Sequence, residues 1–353
     1  MIIIGEAWEM DKKRYAAALA GTAFFLILFF FSKDFAEGAA IGLGNCAEVI
    51  IPSLFPFMVA ASLIGEGEIP PFVKRIAEPL TRRLFGQSAE SLPVIFVGLL
   101  GGYPSGARAA LSLWRNGKIS SAQAKSLMLF CVNSGAGFCV NALGVSLLRS
   151  ERAGILIFVS LCISALITGF FTKPKDEETL VPETVQPKSF AEIFVGSVAS
   201  GASGIISVCA FTVLVSGFLR VISVSGVGGK ALVAVSCLLE ITSGCALAAG
   251  EIPIPLTAGV CAFGGLCVHM QIFSVAGEMK PRLGKFLLFR AFHAVLSAAI
   301  CAVLLKLFPV TVQTFLPISQ NIGFSSFSIP ASVSLLFFSA LLIFDLDKQR
   351  KIC

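Results

Sequence analysis

The stretch Gly98-Leu-Leu-Gly-Gly-Tyr-Pro-Ser-Gly-Ala-Arg108 decides how this chain is to be read. Its glycines, proline and arginine stand inside a run, Leu92–Leu113, that is otherwise apolar enough to enter a bilayer. Glycine and proline break helical hydrogen bonding, and irregular backbone at membrane depth survives only where protein buries it or water bathes it. An arginine at that depth costs about 2.5–3.5 kcal/mol on insertion scales, so it faces a cavity, a partner or a cargo. Interrupted helices with a polar payload are what carrier binding sites are built from. Arg82 and Arg83 precede the run, and Arg115, Lys118 and Lys125 follow it. Loops rich in Lys and Arg stay on the cytoplasmic face. A run held between two such loops dips into the membrane and returns, so the sequence predicts a re-entrant hairpin over 92–113.

Composition agrees. Of 353 residues, 56% are hydrophobic and only 14% are charged, against about 25% charged in soluble domains. The net charge of +6 sits in short loops between apolar runs, which reports orientation and not a nucleic-acid partner. The 11 cysteines include no Cys-x-x-Cys pair and read as packing residues. His269 and His293 cannot make a zinc triad, Gly98–Gly102 lacks the Lys-Ser/Thr of a phosphate loop, and Ser105 has no Gly-x-Ser-x-Gly setting. Neither an enzyme, a metal nor a cofactor is expected.

Uncharged runs then divide the chain into an all-α, polytopic integral membrane protein with its partners in the bilayer. In the first half, residues 1–172, spans are expected near 15–32, 49–65, 126–148 and 153–172, with the hairpin at 92–113. The exit of the first run, Phe29-Phe-Phe-Ser-Lys33, lacks the small-x-small pattern of a cleavage site, so an uncleaved span with a cytoplasmic N-terminus is expected. Residues 66–91 alternate basic Lys74, Arg75, Arg82 and Arg83 with apolar Phe72, Ile76 and Leu80, an amphipathic helix on the cytoplasmic surface. Residues 173–189 carry three prolines among acids and lysines and form a cytoplasmic linker. In the second half, residues 190–353, spans fall near 193–219, 256–277, 286–308 and 331–344, with a hairpin at 232–250 broken at Leu239-Glu-Ile-Thr-Ser-Gly244. The C-terminus is then cytoplasmic too. Each half reads span, broken hairpin, glycine-interrupted span, span. The first unit starts inward and the second outward, so the sequence predicts an inverted repeat with two re-entrant hairpins.

Candidate site residues follow from this layout. A half-helix beginning near Pro104 would aim its free N–H groups and Arg108 at one anion, with Ser105 as cap and Gly101, Gly102 and Gly106 permitting the turn. The alternative for Arg108 is to snorkel to the headgroups. Glu240, beside Gly244, is an intramembrane carboxylate that balances charge, carries a proton or pairs with Arg108. Asn133, Ser134, Gly135 and Gly137 form a polar, unwindable patch, or alternatively a close helix contact. His269 and Gln271 stand at the matching place in the second half. Tyr103 offers an aromatic wall and a hydroxyl.

At Ile51-Pro-Ser-Leu-Phe-Pro-Phe57, Gly101-Gly-Tyr-Pro-Ser-Gly-Ala-Arg108, Phe130-Cys-Val-Asn-Ser134, Leu239-Glu-Ile-Thr-Ser-Gly244 and Phe263-Gly-Gly-Leu-Cys-Val-His-Met-Gln271, the chain resembles the YlbJ-type sporulation membrane proteins, with their nucleoside-recognition gate domains. That resemblance implies a carrier moving dipicolinate from the mother cell across the outer forespore membrane. Gate domains are also similar to parts of concentrative nucleoside transporters, but their Asn-Glu-Phe element and acid-rich hairpins are absent here. Dipicolinate is a flat aromatic dianion that needs cationic or N–H donors and an apolar slot. Arg108, Ser105, Tyr103, Asn133, Ser134 and Gln271 offer such a set, with Glu240 and His269 for charge balance. A nucleoside carrier and a non-transporting sporulation scaffold are the rival readings, and an oligomer is compatible with all three.

Overall fold

A computed structural model describes residues 2–67, 69–174, 189–279 and 281–310, with side chains from Tyr15 onward apart from that of Ala17. The expected span at 331–344 and nearly all of the linker at 173–189 lie outside these residues. Every regular element described is helical.

Helix α1 (Ile2–Phe30) gives way at Phe31 to α2 (Ser32–Asn45). A π-helical turn, Cys46–Ile50, joins α2 to α3 (Ile51–Glu66), making one 35-residue helix. Pro52 explains the wide turn, because it has no N–H for the carbonyl four residues back and its ring crowds that carbonyl. Next comes α4 (Pro71–Phe85), then the pair α5 (Leu92–Leu100) and α6 (Tyr103–Arg115). Helix α7 (Ser121–Phe130), opened by a Ser120–Gln123 capping box, is separated by residues 131–136 from a π-helix, Gly137–Leu147. Helix α8 (Glu151–Phe171) closes this half.

The second half runs α9 (Phe190–Val224), again 35 residues, then α10 (Gly229–Leu239) and α11 (Ile241–Ala248). The short helices α12 (Ile254–Phe263) and α13 (Gly265–Ala276) follow, and α14 (Leu283–Leu307) ends the described part. Both halves therefore present a 35-residue helix, two short helices folded together, an interrupted helix and a straight one.

Packing depends on small residues. Gly38 abuts Gly217, Gly42 abuts Ser216 and Gly201 abuts Val59, so the two 35-residue helices run antiparallel with glycines at their crossings. Close backbone approach of this kind is how helices associate without a hydrophobic gradient to drive them. Gly98 of α5 packs on Gly106 of α6, with a Cβ on Gly106 falling 2.8 Å from the Gly98 Cα, so the chain reverses between them. Gly244 of α11 meets Cys237 of α10 in the same way.

Five described helices are long and apolar enough to cross a membrane: Ser32–Glu66, Glu151–Phe171, Phe190–Val224, Ile254–Met279 and Leu283–Leu307. Two sequence boundaries need correction. The run placed at 49–65 is the later part of a helix that begins at Ser32, whose first turns carry Lys33, Asp34 and Glu37, the last paired with Arg220 at 3.0 Å. The span placed at 126–148 is not one helix but α7 and a π-helix either side of a break at 131–136.

Helix α4 leaves Phe72, Ile76 and Leu80 exposed along one stripe, at 68%, 72% and 59%, while Ala77, Thr81 and Phe85 are buried. Arg75, Arg82 and Arg83 are exposed beside that stripe, the arrangement of a helix lying in a headgroup layer. Partial burial pushes the Glu78 carboxyl up, but the Ala89 N–H at 2.6 Å and Arg82 hold it below the usual carboxylate range. Tryptophan placed at Ile76 (Ile76→Trp, with Trp8 and Trp114 changed to Phe) is expected to be quenched by brominated lipid. Quenching by aqueous iodide alone would contradict an interfacial α4.

Candidate functional site

The four helix interruptions meet one another. Gly102, at φ +93°, turns the chain between α5 and α6, a backbone state open to glycine at little cost. This tip seats in the break after α7: a Cβ on Gly135 would lie 2.7 Å from both the Gly102 nitrogen and the Leu100 carbonyl. Gly264, at φ +91°, interrupts α12–α13. Beside it, a Cβ on Gly265 would lie 3.2 Å from the Leu239 carbonyl, at the α10–α11 tip. The Tyr103 ring covers Gly264, and its hydroxyl donates to the Cys261 carbonyl. Ser134 Oγ donates to the same carbonyl at 3.0 Å. Asn133 Nδ2 donates to the Phe130 carbonyl at 2.9 Å, and His269 Nε2 bonds the Phe263 carbonyl at 2.8 Å. A carbonyl can only accept, so that ring nitrogen carries the proton.

The structure divides the expected site in two. Tyr103, Asn133, Ser134 and His269 serve this junction, saturating carbonyls at the ends of α7 and α12 that no helical turn can reach. Ser105 and Arg108 lie elsewhere, on the face of α6 turned toward α3 and α9. They line a cavity of about 110 Å³ with Met58, Ser62, Gly65, Glu66, Val97, Ala109, Ser112, Ser200 and Gly201. An adjoining hollow of about 360 Å³ is bounded by Arg108, Leu111, Ser112, Arg115, Asn116 and Ser200. Arg108 is half-buried and donates to the Ser200 carbonyl at 3.0 Å and to Ser203 Oγ at 3.5 Å. It therefore faces a neighbouring helix and a cavity. Arg115 forms a two-pronged pair with Glu278, at 3.0 and 2.5 Å.

Two expectations at the hairpins change. Ser105 does not cap α6. Gly102 holds the cap position, and Ser105 Oγ donates back to the Gly101 carbonyl at 3.3 Å. Glu240 does not pair with Arg108. It caps α11, its two carboxylate oxygens accepting from the Thr242 and Ser243 N–H groups at 2.8 and 2.7 Å. Ser216 of α9 meets Ser243 at 3.2 Å beside it. Gln271 is buried with its carbonyl oxygen unpartnered, as is the Asn133 side-chain oxygen.

Loss of a capping side chain costs about 0.5–2 kcal/mol. Glu240→Ala is expected to lower stability by that amount, and Glu240→Gln, which keeps one acceptor, by less. Thermal unfolding of the detergent-purified protein reads both; equal stability of all three would show the cap to be idle.

One buried residue is missing from the sequence reading. Arg290 of α14 is fully buried, and its guanidinium donates to the carbonyls of Val132, Leu129 (2.7 Å) and Ala262 (3.4 Å). Its signal was a charge inside the apolar run 286–308, well away from that run's other charge, Lys306, near the far end.

Among known proteins, no family model and no solved structure matches this chain. It is similar to the sporulation integral membrane protein YlbJ of Bacillus subtilis (strain 168), 23% identical over 323 residues, covering 76% of this chain and 77% of that one. That distant similarity and the five apolar helices agree that the chain is an α-helical, multi-pass integral membrane protein.

Proposed function

We propose that this protein is a membrane carrier for a small organic anion, acting in sporulation and moving dipicolinate from the mother cell toward the forespore. The observation that carries the reading is the half-buried Arg108 guanidinium, presented with Ser62, Ser105, Ser112 and Ser200 to a cavity between α3, α6 and α9. A guanidinium and hydroxyls on one cavity wall are donors suited to a carboxylate. Glu66 shares the wall, so the cavity carries both signs of charge.

In this reading the two halves are inverted repeats, and α5–α6 and α10–α11 are re-entrant hairpins entering from opposite faces. The doubled order of elements supports the repeat. The antiparallel contact of the two 35-residue helices, placed alike in the two halves, supports the inversion. Alternating access would rock one half against the other around the cavity. The outer forespore membrane, with both termini cytoplasmic, is the proposed location.

The anion is favoured over a nucleoside because the first hairpin's own face offers Arg108, held by a backbone carbonyl and a serine hydroxyl, while the second hairpin's acid, Glu240, is already engaged by backbone donors. A carboxylate free to hold ribose hydroxyls is what a nucleoside site would need there. Purified protein in proteoliposomes should exchange radiolabelled dipicolinate and leave uridine behind. Exchange of uridine alone would replace this reading with the nucleoside one, and exchange of neither would favour a scaffold.

A further inference from the structure

Helices α7 and α12 both stop inside the protein, at Phe130 and Phe263. The last carbonyls of each therefore lack helical partners. Leu129 from the last turn of α7, Val132 just beyond that end and Ala262 from the last turn of α12 converge on one point, and the Arg290 guanidinium occupies it. Its carbon lies 5.8 Å from the centre of the Phe286 ring, and its Nε has no partner. Among the described residues no carboxylate contacts it. Its counter-charge is the pair of helix ends themselves, each equivalent to about half a negative charge. Two such ends balance one guanidinium.

We infer that this junction is a cation site, built from backbone carbonyls at two helix C-termini and permanently filled by the side chain of Arg290. Ends of interrupted helices with free carbonyls are where membrane carriers hold coupling cations. Here the cation is tethered to α14 and cannot leave. It also pins the two interruptions to each other, since it bonds to both. A carrier built this way moves its cargo without sodium. That consequence rests on the carrier reading above, whereas the filled site stands on the geometry alone.

The test uses the full-length, detergent-purified protein and three variants. Arg290→Lys keeps a charge that reaches the carbonyls, Arg290→Met keeps apolar volume only, and Arg290→Ala leaves a vacant, carbonyl-lined hole. Unfolding temperatures are compared in choline chloride, sodium chloride and low, non-denaturing guanidinium chloride. The wild type is expected to be indifferent to which salt is present. Arg290→Lys should stay near wild type, Arg290→Met should fall well below it, and Arg290→Ala should recover in guanidinium or sodium but not in choline. Met matching wild type, or Ala responding to every salt alike, would overturn the site. If Arg290→Ala yields no folded protein, the order Lys above Met decides, and the reverse order refutes it. Wild-type dipicolinate exchange in proteoliposomes should then be equal in sodium and choline. Sodium-dependent exchange would refute the plugged site while sparing the carrier. No exchange at all, with the stability results intact, would do the opposite.

Discussion

Gly106→Ala is expected to leave little or no folded protein in the membrane, the largest effect of a single methyl group at any of the described glycines. A Cβ at that position would overlap the Cys131 carbonyl and come within 2.8 Å of the Gly98 Cα. Both obstacles are backbone, so no side chain can swing aside to relieve them. Overpacking a well-filled core typically costs about 1–3 kcal/mol, and here three chain segments would have to separate together. The damage would also reach the site, because α6 carries Ser105 and Arg108 on its first turns. Gly44→Ala is the control: its Cβ would meet nothing within 4 Å, and it should accumulate like wild type. Fluorescence-detected size-exclusion of the two variants measures the contrast. Equal, monodisperse peaks would mean that the α5–α6 contact on residue 131 is not as tight as described.

Arg108→Ala is expected to lower dipicolinate exchange about 10- to 100-fold while the protein remains folded. Hydrogen bonds to a charged group contribute about 1.5–3 kcal/mol, and each 1.4 kcal/mol is about a factor of ten in affinity. Stability should change little, since the Ser200 carbonyl that Arg108 contacts belongs to the helical ladder of α9. Arg108→Lys should recover part of the loss, because an ammonium keeps the charge but not the planar fork that matches a carboxylate. Exchange at the wild-type rate in Arg108→Ala would move the cargo away from this cavity.

The interruptions of the helices were legible in the sequence because their residues announce themselves. Gly101-Gly102-Tyr103-Pro104, Asn133-Ser134-Gly135 and Gly264-Gly265 have no business inside straight apolar helices, and the chain breaks at each. Glu240 was legible as a break for the related reason that a charge inside an apolar run needs a local partner, which proved to be the start of α11. The partners across the fold were not legible. Tyr103 and the Cys261 carbonyl are 158 positions apart, and no period in the sequence joins them. That contact turns Tyr103 and Ser134 toward the junction and away from the Arg108 cavity. Ser200 and Ser203 were likewise invisible, since hydroxyls in a small-residue helix look like packing. The start of the first long helix at Ser32 was hidden by Lys33, Asp34 and Glu37, which charge counting places outside a span.

One labelling experiment bears most directly on the idea that solute passes through the hollow beside Arg108. Ser112 lines both parts of that hollow. In a background with the native cysteines replaced, Ser112→Cys in proteoliposomes should react with a membrane-impermeant maleimide. Dipicolinate should slow that reaction, and uridine should leave it unchanged. A thiol that never reacts from either side, or reacts at one rate whatever solute is present, would contradict the account.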